Sequence, residues 1–264
     1  MTSLNSKIKV VIPARFGSSR LLGKPLIDLC GMPMIIRVAN RVSEALPLAD
    51  LWIATDDKRI EDVAIGHGYQ VMLTNVAHES GTDRIAEVTK NLGWSSDATI
   101  INVQGDEPLI DVGLLQKFAQ FCVINESLAM ASVMVSVDCW QDIDDPNVVK
   151  VTVNKAGQAT AFSRSPIPYC RDVPLADWPI HLYNRHIGIY AYKASVLTEL
   201  AASPTSLLER LEKLEQLRAL WLGHPISMFN WSKPIHAGVD CLQDVSRVRE
   251  ILNNSVSEKI RCLT

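Results

Sequence analysis

From residue 10 to residue 137, short apolar runs alternate with amphipathic segments, and this alternation constrains the chain more than any other feature. Runs at 10–13, 51–55, 69–73, 98–103 and 129–137 read as strands. The segments 34–46, 60–66, 82–92 and 112–124 read as helices. In the first of these, Met34, Ile35, Val38 and Val42 recur at helical spacing. The second closes on Gly66. Strands that alternate with helices predict an α/β fold, with a mostly parallel sheet covered on both faces. Ligands of such sheets collect beyond the carboxyl ends of the strands, where strand order reverses. The loops after the strands are therefore where function is sought.

Past residue 138 the pattern changes. Residues 148–153, the turn Asn154-Lys-Ala-Gly157 and residues 159–163 predict a hairpin. A proline-rich, aromatic stretch covers 165–183 and a strand covers 186–192. A single amphipathic helix is expected over 206–221, a strand over 225–231 and a last helix over 243–253. This places the core in 1–137 and 194–264. Residues 138–193 form a smaller β-rich subdomain, where a homodimer contact is expected. No internal repeat or low-complexity tract interrupts the chain.

The chain's 264 residues are 47% hydrophobic, enough for one large core or a core with an appendage. A net charge of -3 gives no sign of a nucleic-acid or anionic-membrane partner. Any anion site must then be a local concentration of cations. The six cysteines are scattered, with no CxxC pair, which reads as reduced thiols rather than a disulfide frame or zinc site. The first residues lack a signal peptide's apolar segment. No apolar run approaches the roughly 18 residues that span a bilayer. A soluble cytoplasmic protein is expected.

After the first strand the sequence reads Pro13-Ala-Arg-Phe-Gly-Ser-Ser-Arg-Leu-Leu-Gly-Lys-Pro25. Glycine lets backbone N–H groups approach an anion, serine donates, and Arg15, Arg20 and Lys24 neutralise phosphate charge. The segment suits a triphosphate. It is not a Walker A loop, because five residues separate Gly17 from Gly23 and Pro25 stands where Ser or Thr would hold magnesium. Nor is it a GxGxxG loop. Composition alone leaves a solvated basic loop as the other reading.

The fourth strand ends in Gln104-Gly-Asp-Glu-Pro108. Magnesium takes one or two carboxylates plus phosphate oxygens, so an acidic turn at a strand's carboxyl end suits it. Gly-Asp-Glu-Pro is also ordinary turn chemistry. A further carboxylate, Asp240, lies between a strand and the last helix, where an N-cap is the plainer reading.

The basic loop is followed, in order, by Ser80-Gly-Thr-Asp-Arg84, Asn102-Val-Gln-Gly-Asp-Glu-Pro108, Phe162-Ser-Arg164, His186-Ile-Gly-Ile-Tyr190, Leu214-Glu-Gln-Leu-Arg218 and Gly238-Val-Asp240. From about residue 8 to residue 250 this set resembles the 3-deoxy-manno-octulosonate (Kdo) cytidylyltransferases, which make CMP-Kdo for lipopolysaccharide assembly. The resemblance extends to the branch that uses 8-amino-Kdo. It implies a Rossmann-like, GT-A-like nucleotidyltransferase fold, a three-layer sandwich, and a homodimer. The implied reaction joins CTP to a 3-deoxy-octulosonic sugar acid and releases pyrophosphate, with Mg2+ as cofactor.

By position, the resemblance gives the catalytic charges to Lys24, Asp106 and Arg20. Arg15, Ser19, Arg20, Lys24 and Arg84 would bind the CTP phosphates, and Asp106 and Asp240 would hold the magnesium. Gln104, Arg164, His186, Tyr190, Glu215 and Gln216 would line the sugar-acid pocket. Arg164 suits a substrate carboxylate, though a surface arginine at a hairpin end has the same look. His186 and Tyr190 equally suit packed strand positions. Glu212 and Arg218 are expected on the exposed face of the amphipathic helix.

The sequence departs from the family pattern in three places. Leu22 stands where a proline is usual, and Cys241-Leu-Gln-Asp244 where Thr-Pro-Glu-Asp is usual. Ser165-Pro-Ile-Pro-Tyr-Cys-Arg171 replaces the more frequent Ala-Thr-Ile-Pro-Trp. The last two leave the sugar open between Kdo and its 8-amino analogue. Competing expectations are a synthetase for another sugar nucleotide and a catalytically inactive nucleotide-binding subunit. A glycosyltransferase would need a DxD metal motif, for which Asp56-Asp57 is a weak substitute.

Overall fold

The computed structural model describes residues 8–261 except 19, 79, 126, 175 and 176, with side chains described up to residue 254. The chain divides into two compact units. One comprises Met1–Val88, Asn102–Gln116 and Ile235–Thr264; the other comprises Thr89–Ile101 and Lys117–Pro234. The stretch 138–193 lies wholly within the second.

The first unit opens with β1 (Ile8–Ala14), α1 (Met34–Ala45), β2 (Asp50–Thr55), α2 (Lys58–Gly66), β3 (Gln70–Leu73) and most of α3 (Gly81–Asn91). Its strands run in the order β3-β2-β1, each parallel to its neighbour. Ile8, Val10, Val11, Ile12 and Ala14 of β1 are all buried, the near-continuous apolar run expected of a strand covered on both faces. Helix α1 buries Met34, Ile35, Val38, Ala39 and Val42 along one stripe. Asp57 caps α2, its carboxylate accepting the Arg59 N–H. Each of these elements lies within two residues of its sequence-based limits.

The chain continues through β4 (Thr99–Asn102) and α4 (Val112–Ile124) into β5 (Met130–Ser136), α5 (Trp140–Asp144), β6 (Lys150–Val153) and β7 (Ala159–Ser163). Then come β8 (Asn184–Lys193), α6 (Ala194–Ala202), α7 (Leu207–Glu212), α8 (Gln216–Trp221) and β9 (Ile226–Trp231). Helix α9 (Leu242–Arg261) returns to the first unit. In the second unit the order is β4-β8-β5-β9, with β5 parallel to β9 but antiparallel to β8. The parallel expectation therefore holds throughout the first unit, whereas the second is mixed. Between β5 and β8 the chain makes the β6–β7 hairpin instead of a long crossover helix, and β8 comes back in the opposite direction. The proline-rich stretch has a small core of its own, in which Val137, Ile143, Trp178 and Tyr183 cluster.

The largest departure lies at 206–221. The expected single helix is two short ones, α7 and α8, separated at Lys213, whose backbone is left-handed (φ 54, ψ 46). In α7 the buried face is also the opposite of the expected one, although Leu214, Leu217 and Ala219 further on are buried. Leu207, Leu208 and Leu211 are exposed, whereas Glu209, Gln216 and Arg218 are buried. A polar network holds them inside. Ser206 and Glu209 form a reciprocal capping box at the start of α7. The Glu209 carboxylate accepts Arg218 Nε at 2.9 Å and Nη2 at 2.6 Å, while Arg218 Nη1 donates to the Leu200 carbonyl at 2.9 Å. Arg218 thus ties α6, α7 and α8 together and is not the solvated residue that helical periodicity suggested. Helix α6 itself was not anticipated from the sequence.

The described cysteines 30, 122, 139, 170 and 241 are all free thiols. Among the described residues no helix is long and apolar enough to cross a membrane.

Breaking a buried, bidentate pair leaves an uncompensated charge. Arg218→Ala should therefore lower the unfolding free energy by about 3–5 kcal/mol, read from denaturant midpoints. An unchanged midpoint would show that the pair carries no stability.

Candidate active site

The phosphate-binding candidates belong to the first unit. Beyond β1 the chain turns on Phe16, whose carbonyl accepts both the Ser18 N–H at 2.9 Å and the Gly23 N–H at 3.0 Å. The Phe16 N–H points to Asp56 Oδ1 at 3.4 Å, and the Arg59 guanidinium lies 3.4 Å from the centre of its ring. A 3-10 turn, Lys24–Leu26, follows with Pro25 in its first turn. Leu22, where the family has proline, is 71% exposed. The turn is held by the Phe16 carbonyl and by Pro25 instead.

That turn directs Lys24 at two carboxylates. Its ammonium lies 2.7 Å from Asp106 Oδ2 and 3.1 Å from Asp240 Oδ1, and Arg20 Nη2 lies 3.0 Å from the same Asp240 oxygen. Two close backbone approaches set the carboxylates. A Cβ at Gly105 would meet the Pro13 carbonyl at 2.8 Å, so only glycine lets the acidic turn sit against β1. A Cβ at Gly238 would lie 3.0 Å from Glu107 Oε1, and the next residue, Val239, donates its N–H to the Asp106 carbonyl at 2.9 Å. Beneath them Leu29, Met34, Val239, Val245 and Val248 form one buried cluster. The N-cap reading of Asp240 gives way to Cys241, which precedes α9. Asp244 accepts both the Asp240 and Cys241 N–H groups, at 2.9 and 3.0 Å, so the helix entry is made without the usual threonine.

The other expected residues of this unit are placed differently. Arg15 is exposed and makes no ion pair among the described residues. Ser19 lies outside the described residues. Arg84 is turned inward: it pairs with Asp56 at 2.8 Å, donates to Thr74 Oγ1 and is buried. Gln104 Nε2 donates to Asn102 Oδ1 at 3.4 Å. Asp56 was not singled out from the sequence except as half of a weak metal motif, yet it links Arg84 to the backbone of the basic loop. Its partner Asp57 is occupied by α2 and Arg59.

The sugar-pocket candidates other than Gln104 belong to the second unit. His186 and Tyr190 stand on β8, in a row of aromatic contacts with Phe162 and Tyr192. Ser132 Oγ lies 2.8 Å from His186 Nε2, beside a bulge in the β5–β8 pairing. Burial pushes the imidazole down to about 3, so the ring is neutral at physiological pH. Burial raises the Tyr190 phenol well above its usual value, with Tyr192 and Glu215 adding to the effect. That hydroxyl donates to Gln216 Oε1 at 3.0 Å. The Gln216 amide is buried, and its Nε2 has no partner among the described residues. An orphaned buried donor of this kind suits a ligand oxygen. Glu215 is exposed at the start of α8.

Arg164, at the end of β7, donates from Nε to the Glu212 carbonyl at 2.6 Å and from Nη1 to the Pro146 carbonyl at 2.8 Å. Glu212, expected on an exposed helix face, turns out to be partly buried against this hairpin end. Its carboxylate accepts Ser163 Oγ at 2.7 Å and the Arg164 N–H at 3.0 Å. The break at Lys213 turns the end of α7 toward β7, which a continuous helical period could not reveal.

Asp106 and Asp240 converge on one ammonium, so they bracket a point suited to a cation. Among the described residues no group of three or more His, Cys, Asp or Glu could hold a metal. Two carboxylates, with the remaining positions left to phosphate and water, are what magnesium ordinarily takes from a protein.

Comparison with known proteins identifies the family. Residues 9–226 match the family described as Cytidylyltransferase. The chain is 52% identical over 248 residues to 3-deoxy-manno-octulosonate cytidylyltransferase 2 of Paraburkholderia phytofirmans, covering 94% of each protein. It is 47% identical to the protein of the same name in Burkholderia ambifaria, covering 98% of each. A solved CMP:2-keto-3-deoxy-manno-octonic acid synthetase complexed with CTP superposes with a TM-score of 0.86 at 38% identity, covering 94% of this chain and 99% of that one. A glucose-1-phosphate thymidylyltransferase from Bacillus anthracis, at 16% identity and a TM-score of 0.63, shares the fold alone. The Rossmann-like nucleotidyltransferase fold expected from the motifs is borne out, and the chain belongs to the 3-deoxy-manno-octulosonate cytidylyltransferase family.

Proposed function

We propose that the protein transfers the cytidylyl group of CTP to a 3-deoxy-octulosonic sugar acid, giving the CMP-sugar and pyrophosphate for lipopolysaccharide assembly. The observation that carries this reading is the meeting of Lys24 with Asp106 and Asp240 beside a basic loop. A pure binding role does not call for that set of opposed charges. The relatives' names supply the nucleotide and the sugar acid. They favour Kdo over its 8-amino analogue.

In the reaction the anomeric hydroxyl of the sugar acid attacks the α-phosphorus in line. The new O–P bond forms as the bond to the bridging oxygen breaks, pyrophosphate departs with the electron pair, and the hydroxyl proton passes to solvent water. Arg15 and Arg20 hold the phosphates, and Lys24 neutralises charge on the transferred group. Asp106 and Asp240 would hold Mg2+, which when bound neutralises phosphate charge and favours the attacking oxygen. Arg84 acts from the interior by fixing Asp56 and, through it, the loop backbone. Arg164 pairs with the sugar carboxylate. Tyr190 orients Gln216, whose free amide donor meets a sugar hydroxyl. His186 presents a neutral ring, and Gln104 and Glu215 complete the hydrogen bonding.

CTP and nucleotide-sugar chemistry belong to the cytoplasm, where we place the enzyme. The family resemblance also supports a homodimer, which a monomer mass in sedimentation equilibrium would rule out.

The direct test is pyrophosphate release from CTP with Kdo, with 8-amino-Kdo and with sialic acid. We expect the highest kcat/KM with Kdo; no release with any of the three would leave only a nucleotide-binding role. Asp106→Ala should abolish turnover while circular dichroism shows a folded protein, and near-normal turnover would remove Asp106 from the metal site. Charge-assisted hydrogen bonds contribute about 1.5–3 kcal/mol each. Arg164→Ala should accordingly raise the sugar-acid KM by about ten- to a hundredfold and leave the CTP KM nearly unchanged. Equal rises in both would move Arg164 out of the sugar pocket.

A further inference from the structure

Arg164 is held in an unusual way for a surface-side cation. Its Nε and Nη1 are engaged by two neutral backbone carbonyls, those of Glu212 and Pro146. Nη2 has no partner among the described residues, and the guanidinium makes no ion pair among them. A carboxylate is nevertheless close by. Glu212 gives its two carboxylate oxygens to neutral donors, Ser163 Oγ and the Arg164 N–H, while its carbonyl receives the guanidinium. The contact is reciprocal: the helix end grips the strand's backbone, and the strand's side chain fills a carbonyl at the helix end. The last carbonyls of a helix lack partners within it, and the left-handed residue Lys213 ends α7 at Glu212.

Lys150 supports the arginine from below. Fully buried, it donates to the Arg164 carbonyl at 2.6 Å and to the Asp145 carbonyl at 2.9 Å, one residue before the Pro146 that holds Nη1. Backbone and side chain of Arg164 are therefore both fixed, and its positive charge is left for an incoming anion. A free arginine side chain carries about 2 kcal/mol of rotamer entropy; a clamped one gives up much of that before substrate arrives.

We propose that the Glu212 carboxylate is a positioning group for Arg164: by fixing the Ser163–Arg164 backbone against the end of α7 it keeps the Glu212 carbonyl on the guanidinium, ready for the carboxylate of the sugar acid. This rests on the reading of Arg164 given above. Glu212 touches no reacting atom; it acts only through the arginine.

The test is a double-mutant cycle on the full-length enzyme, with KM for the sugar acid and for CTP measured separately in Glu212→Ala, Arg164→Ala and the double variant. Glu212→Ala should raise the sugar-acid KM by about tenfold, the size of one lost charge-assisted contact, and leave the CTP KM within twofold. In the Arg164→Ala background it should add nothing further. Glu212→Gln keeps an acceptor for the Arg164 N–H and a donor for Ser163 Oγ. It should restore most of the sugar affinity, and a sugar-acid KM raised about tenfold in this variant would overturn the proposal even if the alanine variant does not fold. A multiplicative effect in the double variant, or equal rises in both KM values, would falsify the positioning role. If Arg164→Ala alone leaves the sugar-acid KM unchanged, the reading of Arg164 fails first, whatever Glu212 does.

Discussion

The ammonium of Lys24 is the point on which the first unit is organised. It joins segments 82 and 216 residues apart in the chain by touching Asp106 and Asp240 together. Lys24 is mostly buried while Asp106 and Asp240 stay partly exposed, and the surrounding backbone sets their geometry. Gly105 lets the acidic turn lie against β1, Val239 ties the segment before α9 to that turn, and the apolar cluster of Leu29, Met34, Val239, Val245 and Val248 holds both from beneath. The parallel strands end where these loops begin. The fold thus places loose polar segments at one edge, and the ion pairs give that edge its register.

The second unit follows a different logic. Its polar residues are set by hydrogen bonds between neighbouring elements: Tyr190 to Gln216, His186 to Ser132, Arg164 to Glu212. Charges in the first unit face one another. In the second unit the partners are mostly neutral, and Gln216 Nε2 and Arg164 Nη2 are left without a partner among the described residues.

How far the sequence foretold this depended on the kind of signal. The strands and helices of the first unit were legible because each carries a strong period and sits where that period puts it; β1 and α1 are clear cases. Motif order singled out Asp106 and Asp240, the two carboxylates that meet at Lys24. What failed to show was anything decided by long-range pairing. Arg218 and Glu212 read as solvated because a helical wheel ranks charged residues outward, yet a buried partner for one and a hairpin end for the other reversed that ranking. The inward turn of Arg84 toward Asp56 belongs to the same class. The antiparallel return of β8 was hidden because a run of apolar residues does not record strand direction.

The interruption between α7 and α8 has one more consequence. A helix advances about 100° per residue, so the stretch from Lys213 to Glu215 fixes the rotational phase of α8 as well as ending α7. Removing one residue there would swing Gln216 about a quarter-turn away from Tyr190. The length of this three-residue joint is therefore under tighter control than its composition. Related chains that differ freely in side chains at these positions should still keep their number.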